Sequence, residues 1–424
     1  MRRSLAIAIV FLSSVPRLGI AAEPSTTPTP IPATRPELKR ALEALKSREP
    51  RLPLESSFAG AAGAGLLPKT WGGGGGLGFD VRSETGLDDP LFDCCFWIVS
   101  RGNNCHYCLG HQELKLQFLG MDDDAIASLD TDSSGFSLRE QVAMKFARRV
   151  TLEPFAIVDA DVAALREHFS DRQIIELAFA VARFNAANRW TDGVGLPHES
   201  QFGDGRKIEL DTPTSGKFQN AKSIVVEVAR VMPPVVRTWR EVESKIAACR
   251  SRVPRVDLPS VTDASQASPD SIGDRPPLGW EQALAALPKN GVAFIGIWNS
   301  IQSDQNLSPR LKAEIAFITA VNNGSWYAAA HAAHRLKQLG ATNEELSQLL
   351  QAHEPAAGGA AAYHLAAKST RDPHLITDAD LAAVRASFSD RETAEIMQVI
   401  CMANLFDRFT ESLGLPVEAA VAGD

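Results

Sequence analysis

The amino-acid sequence contains a long internal repeat, so any fold for this chain has to build the same unit twice. Residues 153–197 match residues 372–416 at a constant offset of 219, with no gap. Pro154 falls on Pro373, Asp159 on Asp378 and Asp161 on Asp380. Phe169-Ser170-Asp171-Arg172 falls on Phe388-Ser389-Asp390-Arg391, Glu176 on Glu395, Asn185 on Asn404 and Arg189 on Arg408. Gly195-Leu196-Pro197 closes one copy and Gly414-Leu415-Pro416 the other. Upstream the match continues at an offset of 220, with Tyr107 on Tyr327, His111 on His331 and Leu119-Gly120 on Leu339-Gly340.

The repeated unit reads as helix throughout. From residue 90 onward apolar residues recur at spacings of three and four, with little two-residue alternation, which predicts an all-α fold of two tandem helical bundles. Ser170 and Ser389 stand where N-caps belong, each followed by an aspartate that favours the positive helix end. Asn185 and Arg189 lie four apart, hence on one helical face, as do Asn404 and Arg408. Polar residues shared by both copies suit a scaffold role, capping or bridging helices in the core.

The ends and joints have their own composition. Arg2 and Arg3, the apolar stretch over residues 5–15 and Gly19-Ile20-Ala21-Ala22 form the pattern of a signal peptide over 1–22, and predict export to the periplasm or outside the cell. A Pro/Thr-rich tether, expected to be disordered, follows over 23–36, and Thr34 ahead of Pro36 starts a short helix. The first domain spans 37–215. Gly72–Gly76 within it reads as a flexible surface loop, because no Lys-Ser/Thr follows to make a phosphate cradle. Residues 216–277 form a connector, mostly helical over 217–250 apart from Pro233-Pro234, then a Pro/Ser/Asp-rich linker from 251. The second domain spans 278–424. No later stretch is apolar enough to cross a bilayer after signal cleavage. With 51 acidic against 43 basic residues the formal charge is −8, and no basic cluster offers a nucleic-acid footprint.

Chemistry concentrates in residues 93–111. An apolar helix runs into Gly102-Asn103-Asn104, and Cys105-His106-Tyr107-Cys108 opens the next. C-x-x-C spacing brings two sulfurs within disulfide reach. A helix N-terminus stabilises a thiolate, and a neighbouring thiol resolves the product of its attack. His111 lies three residues beyond Cys108 as a proton relay. Across the repeat Cys105 becomes Ser325 and Cys108 becomes Ala328, which puts thiol chemistry in the first copy only. Zinc is the rival use of such a pair, but no second C-x-x-C or close Cys/His pair completes four ligands. The pair is therefore read with no metal and no cofactor. Cys94, Cys95, Cys249 and Cys401 fit buried, inert thiols. Asp130 to Phe136 imitates the start of a calcium loop, but its twelfth position is Gln141, so a capped turn is expected.

The pattern of Asp93, an apolar helix, C-x-x-C and His111, then Asp159-Ala160-Asp161 and Asn185-Ala186-Ala187-Asn188-Arg189 ending in Gly195-Leu196-Pro197, resembles the carboxymuconolactone decarboxylase family, nearest its alkylhydroperoxidase D-like branch. The similarity is stronger over 90–197 than over 309–416. It implies a helical domain that pairs, here as an internal pseudo-dimer with a degenerate second copy, and that often forms homo-oligomers. It implies an antioxidant thiol-dependent peroxidase or disulfide oxidoreductase, with a peroxide or disulfide substrate and an external dithiol reductant. Carried over by position, Cys108 attacks, Cys105 resolves, and His111 and Asp93 relay protons. Two departures stand out: the acidic residue is Asp93 rather than Glu, and His111 comes one residue early, turning it about 100° on the helix. Helix-dipole reasoning alone favours Cys105 as the nucleophile, so the order of the thiols stays open. Glu113 is a further carboxylate, expected at the surface. The alternatives are a cofactor-free lyase or decarboxylase acting on a small organic acid, and a non-catalytic exported helical binding module.

Overall fold

The computed structural model describes residues 26–53, 83–202, 204–214, 216–227, 231–303, 305–351 and 359–422. The expected signal peptide and the run Gly72–Gly76 lie outside these residues. Within them the chain is helical, with one isolated antiparallel bridge between Gln201 and Lys207 and no strand. No helix among them is long and apolar enough to cross a membrane.

Sixteen helices matter here. In the first half they are α1 (Arg35–Ala44), α2 (Asp89–Gly102), α3 (His106–Phe118), α4 (Asp123–Ser128), α5 (Leu138–Leu152), α6 (Asp159–Arg166) and α7 (Asp171–Gly193). In the second they are α8 (Trp239–Arg250), α9 (Gly279–Ala285), α10 (Asn290–Ile301), α11 (Pro309–Asn323), α12 (Trp326–Gln338), α13 (Asn343–Leu349), α14 (Gly359–Arg371), α15 (Asp378–Arg385) and α16 (Asp390–Leu413). Helices α2–α7 thus recur in order as α11–α16. The caps recur too. Ser170 accepts from Gln173 N–H while Gln173 returns to Ser170 N–H, and Ser389 with Glu392 does the same. Each capping box meets amides that the first turn leaves without partners.

Helices α7 and α16 are buried along most of their length and pack against each other at the centre. Gly193 makes their approach close: a Cβ there would lie 2.1 Å from Met397 Cε. Phe179 of α7 meets Phe409 of α16 edge-on at 5.7 Å, the preferred aromatic geometry.

Two arginines sew the copies together reciprocally. Arg51 donates to the Asp192 carbonyl at 2.5 Å in its own copy, and to the Ile376 carbonyl at 2.9 Å and Asp378 at 2.7 Å in the other. Arg255 donates to the Glu411 carbonyl at 2.6 Å, the Ile157 carbonyl at 2.9 Å and Asp159 at 3.0 Å. These acceptors are the repeat equivalents of one another. The two donors sit in Arg48-Glu49-Pro50-Arg51 and Arg252-Val253-Pro254-Arg255. Helix α1, capped by Thr34, precedes the first and α8, capped by Thr238, the second. Helix α8 packs on α12 as α1 packs on α3, so much of the expected connector belongs with the second bundle.

Three other expectations change. Residues 26–34 do not hang as a free tether: the Pro30 carbonyl accepts from Asn104 Nδ2 at 3.1 Å and the Pro32 carbonyl from Arg101 Nη2. Prolines keep this stretch extended, and its carbonyls meet donors that would otherwise be buried unpaired. Over 217–250 the described helix is confined to Ile224–Glu227 and Trp239–Arg250, because Pro233-Pro234 lacks amide donors. Glu113 is buried rather than exposed, held by both Arg35 Nη atoms at 2.6 Å and by Trp97 Nε1 at 2.6 Å. The turn after Asp130 is capped as expected, with Asp132 accepting from Ser134 N–H, while Asp130 itself is buried and accepts from Arg101 Nε at 2.7 Å.

Candidate functional site

The break between α2 and α3 sets the position of the thiols. Asn104 sits at φ +52°, a conformation that asparagine tolerates. The repeat places Gly324 there in the second copy, at φ +66°. Asn103 donates to Asn185 Oδ1 at 2.9 Å and Asn188 Oδ1 at 3.0 Å, fastening the break to α7. Arg189 donates to Asn185 and also to the carbonyls of Ser369 and Thr370 at 3.1 and 3.2 Å, at the end of α14. The shared Asn and Arg therefore bridge and cap, as their presence in both copies suggested.

Cys105 is the N-cap residue of α3, but its sulfur makes no capping hydrogen bond to the helix amides. It lies 3.2 Å from Thr191 Oγ1, and Cys108 Sγ lies 3.2 Å from the same hydroxyl. Cys105 is fully buried and Cys108 is 6 % exposed. Burial pushes the Cys105 thiol well above its ordinary range, and neighbouring Cys108 adds to that. Burial also works against ionisation of Cys108, but hydrogen bonds from Cys105 and Thr191 and the charge of His111 outweigh it and hold that thiol below its ordinary value. The two sulfurs share one site and titrate as a pair, the first ionisation being eased by the hydrogen bonds and by His111.

His111 belongs to a second layer. Its Nδ1 meets the Tyr107 carbonyl at 2.9 Å, and its Nε2 lies 3.1 Å from Glu199 Oε2. Tyr107 donates its hydroxyl to Glu199 Oε1 at 2.9 Å. Burial alone would lower the His111 pKa, but Glu199 reverses that and raises it. Glu199 resists burial in turn and is held at about 2 by His111. His198 stacks on His111 at 4.6 Å and is pushed down to about 4, by burial first and then by the charge of His111.

The carboxylate that meets His111 is Glu199, not Asp93. Asp93 lies 3.4 Å from Lys115 Nζ, and burial raises its pKa. Lys115 stands about two turns, roughly 10 Å, along α3 from Cys108. Of the four residues expected in the site, Cys105, Cys108 and His111 come together. Asp93 is engaged elsewhere, and Thr191, Tyr107, His198 and Glu199 complete the cluster. A signal for Glu199 was present in the sequence: the gapless repeat runs two residues past Gly-Leu-Pro and sets Glu199 on Glu418. In the second copy Tyr327 donates to Glu418 Oε1 at 2.6 Å and His331 Nε2 lies 3.1 Å from Glu418 Oε2. That Tyr–His–Glu arrangement stands without thiols, beside Ser325 and Ala328.

Comparison with known proteins bears on this architecture. Residues 288–369 match the model of the carboxymuconolactone decarboxylase family. The match falls on the copy lacking the C-x-x-C, the reverse of the emphasis that the cysteines suggested. Comparison with curated sequences gives no match. Among solved structures, the chain is similar to "Crystal Structure of the Debrominase Bmp8 (Apo)", at 17 % identity and a TM-score of 0.33, over 38 % of this chain and 87 % of that one.

Proposed function

The chain belongs to the carboxymuconolactone decarboxylase family through residues 288–369, and from that membership we propose a thiol-dependent peroxidase or disulfide oxidoreductase whose centre is Cys105 and Cys108 of the first copy. The observation that carries this reading is the meeting of the two sulfurs at one hydroxyl, each 3.2 Å from Thr191 Oγ1, at positions where the second copy has Ser325 and Ala328. In the proposed cycle the Cys108 thiolate attacks the distal oxygen of a hydroperoxide. The S–O bond forms as the O–O bond breaks, and the leaving alkoxide takes a proton from His111. Cys105 then attacks the Cys108 sulfenic acid, forming the disulfide and releasing water. An external dithiol returns two electrons and restores both thiols. Glu199 serves as the counter-charge that keeps His111 protonated, the part the family resemblance had given to Asp93. We read the paired copies as an internal pseudo-dimer and the chain as exported, which calls for a reductant outside the cytosol.

The test is sulfenate trapping. Cys105→Ser treated with peroxide and dimedone should carry one adduct on Cys108. Cys108→Ser should carry none on Cys105. An adduct on Cys105 alone would reverse the assignment, and no adduct on either would reject the reading.

A second reading, a cofactor-free lyase acting on a small organic acid, is favoured by the thiol-free Tyr327–Glu418–His331 set, which is equipped for proton transfer alone. Activity on such an acid surviving Cys105→Ser/Cys108→Ser would select it.

A further inference from the structure

The first copy departs from the second at one more pair of positions, and the two changes fit each other. His198 stands where the repeat has Val417, and Gly110 where it has Ala330. A Cβ on Gly110 would lie 2.6 Å from His198 Nε2. The glycine therefore makes room for the imidazole, and the alanine of the second copy would exclude it.

That imidazole completes a set of donors. Ligand atoms of His111, His198 and Glu199 all lie within 4.8 Å of one another. Glu199 Oε2 is 3.1 Å from His111 Nε2, close to the edge of a tetrahedron built on metal–ligand bonds of about 2.0–2.2 Å. His198 Nδ1 donates to the Glu199 carbonyl at 3.1 Å, which puts the free lone pair of that ring on Nε2. Two of the donor residues also hold unmet polar atoms. Glu199 Oε2 is buried without a well-aligned hydrogen bond, and Nε2 of His198, whose side chain is fully buried, has no partner.

The surroundings orient the set as metal sites require. The Tyr107 carbonyl accepts from His111 Nδ1, so an ion entering the site displaces the proton on Nε2 and takes its lone pair, and the Tyr107 hydroxyl holds Glu199 Oε1, leaving Oε2 for the ion. We infer that His111, His198 and Glu199 form a binding site for a divalent transition-metal ion of the zinc type, built only in the first copy. Three protein ligands leave a tetrahedral ion one open position, the arrangement of a reactive centre rather than a structural one. The C-x-x-C is not part of this ligand set.

Zn2+ titration of the full chain by calorimetry tests the site, with Co2+ as a second probe read by its tetrahedral visible absorption. One equivalent of Zn2+ should bind, and Cys105→Ser/Cys108→Ser should retain it. His198→Val, the residue of the second copy, should weaken binding at least about tenfold, and Glu199→Gln likewise. His198→Gln checks that any loss follows the ligand and not the fold, both variants being compared by helical content and melting temperature. No binding, two equivalents, loss in the cysteine variant, or binding indifferent to His198 would each overturn the inference. Binding is read without turnover, so a chain that reduces no peroxide when metal-free, yet takes up zinc, would reject the peroxidase reading and leave the metal site standing.

Discussion

Thr191 Oγ1 lies 3.2 Å from Cys108 Sγ, the distance at which a hydroxyl donates to a thiolate. It stands as far from Cys105 Sγ, and the Ala187 and Asn188 carbonyls at 3.1 and 3.2 Å compete with the sulfurs for its one proton. Thr191→Val removes that donor and keeps the shape. Alkylation of Cys108 by iodoacetamide at neutral pH should slow by about tenfold or more, since a hydrogen bond to a charged group is worth about 1.5–3 kcal/mol. Unchanged alkylation would mean that Thr191 does not tune the thiol.

Glu199 and Asp93 are rival carboxylates, and their variants separate them. Glu199→Gln takes the counter-charge from His111 and should lower peroxide turnover by about 10- to 100-fold, within the range that a positioned proton donor contributes. Asp93→Asn and Glu418→Gln should stay within about twofold. Equal losses at Glu199 and Glu418 would assign the Tyr–His–Glu set to scaffold.

Arg51 and Arg255 make reciprocal contacts between the copies, giving charged-donor hydrogen bonds to partly buried carbonyls as well as to Asp378 and to the exposed Asp159. Arg51→Met and Arg255→Met should each lower stability by about 2–4 kcal/mol in denaturant unfolding, because the carbonyls they leave are poorly solvated. The double variant should lose less than the sum if the contacts belong to one interface.

Asp407 stands in the second copy where the first has Asn188. It is buried on α16, accepts from Asn323 Nδ2 at 2.8 Å, and burial pushes its pKa well above the ordinary carboxylate range. The unfolded chain ionises this group from about pH 4 upward while the fold resists. Its contribution is therefore most favourable below that pH and is lost as pH rises toward the folded value. Asp407→Asn should raise stability at neutral pH by about 1–3 kcal/mol, the cost of an ill-matched buried polar group. The gain should vanish near pH 4, and a gain independent of pH would contradict the sign.

Periodicity and caps made the helices legible, because amphipathic spacing and Ser-x-x-Gln/Glu signals are local. The pairing of copies through Arg51 and Arg255 was less so: Arg-x-Pro-Arg repeats at a different offset from the main block, across a connector of unlike composition. The C-x-x-C and His111 could be read because they share one helix. Thr191 reaches the thiols, and Glu199 reaches His111, only after α7 folds back across α3, and sequence distance hides that meeting. Asp93 misled because matching its spacing assumed that the carboxylate would come from the preceding helix, whereas this chain supplies it from the loop after α7.

Hydroperoxide consumption by the chain, supplied with a dithiol and compared with Cys108→Ser and Cys105→Ser, tests the central claim most directly. The account predicts steady turnover in the parent, none in Cys108→Ser, and in Cys105→Ser a single stoichiometric burst that leaves Cys108 oxidised. Turnover persisting in Cys108→Ser, or absent from a folded parent whose thiols react at ordinary rates, would contradict it.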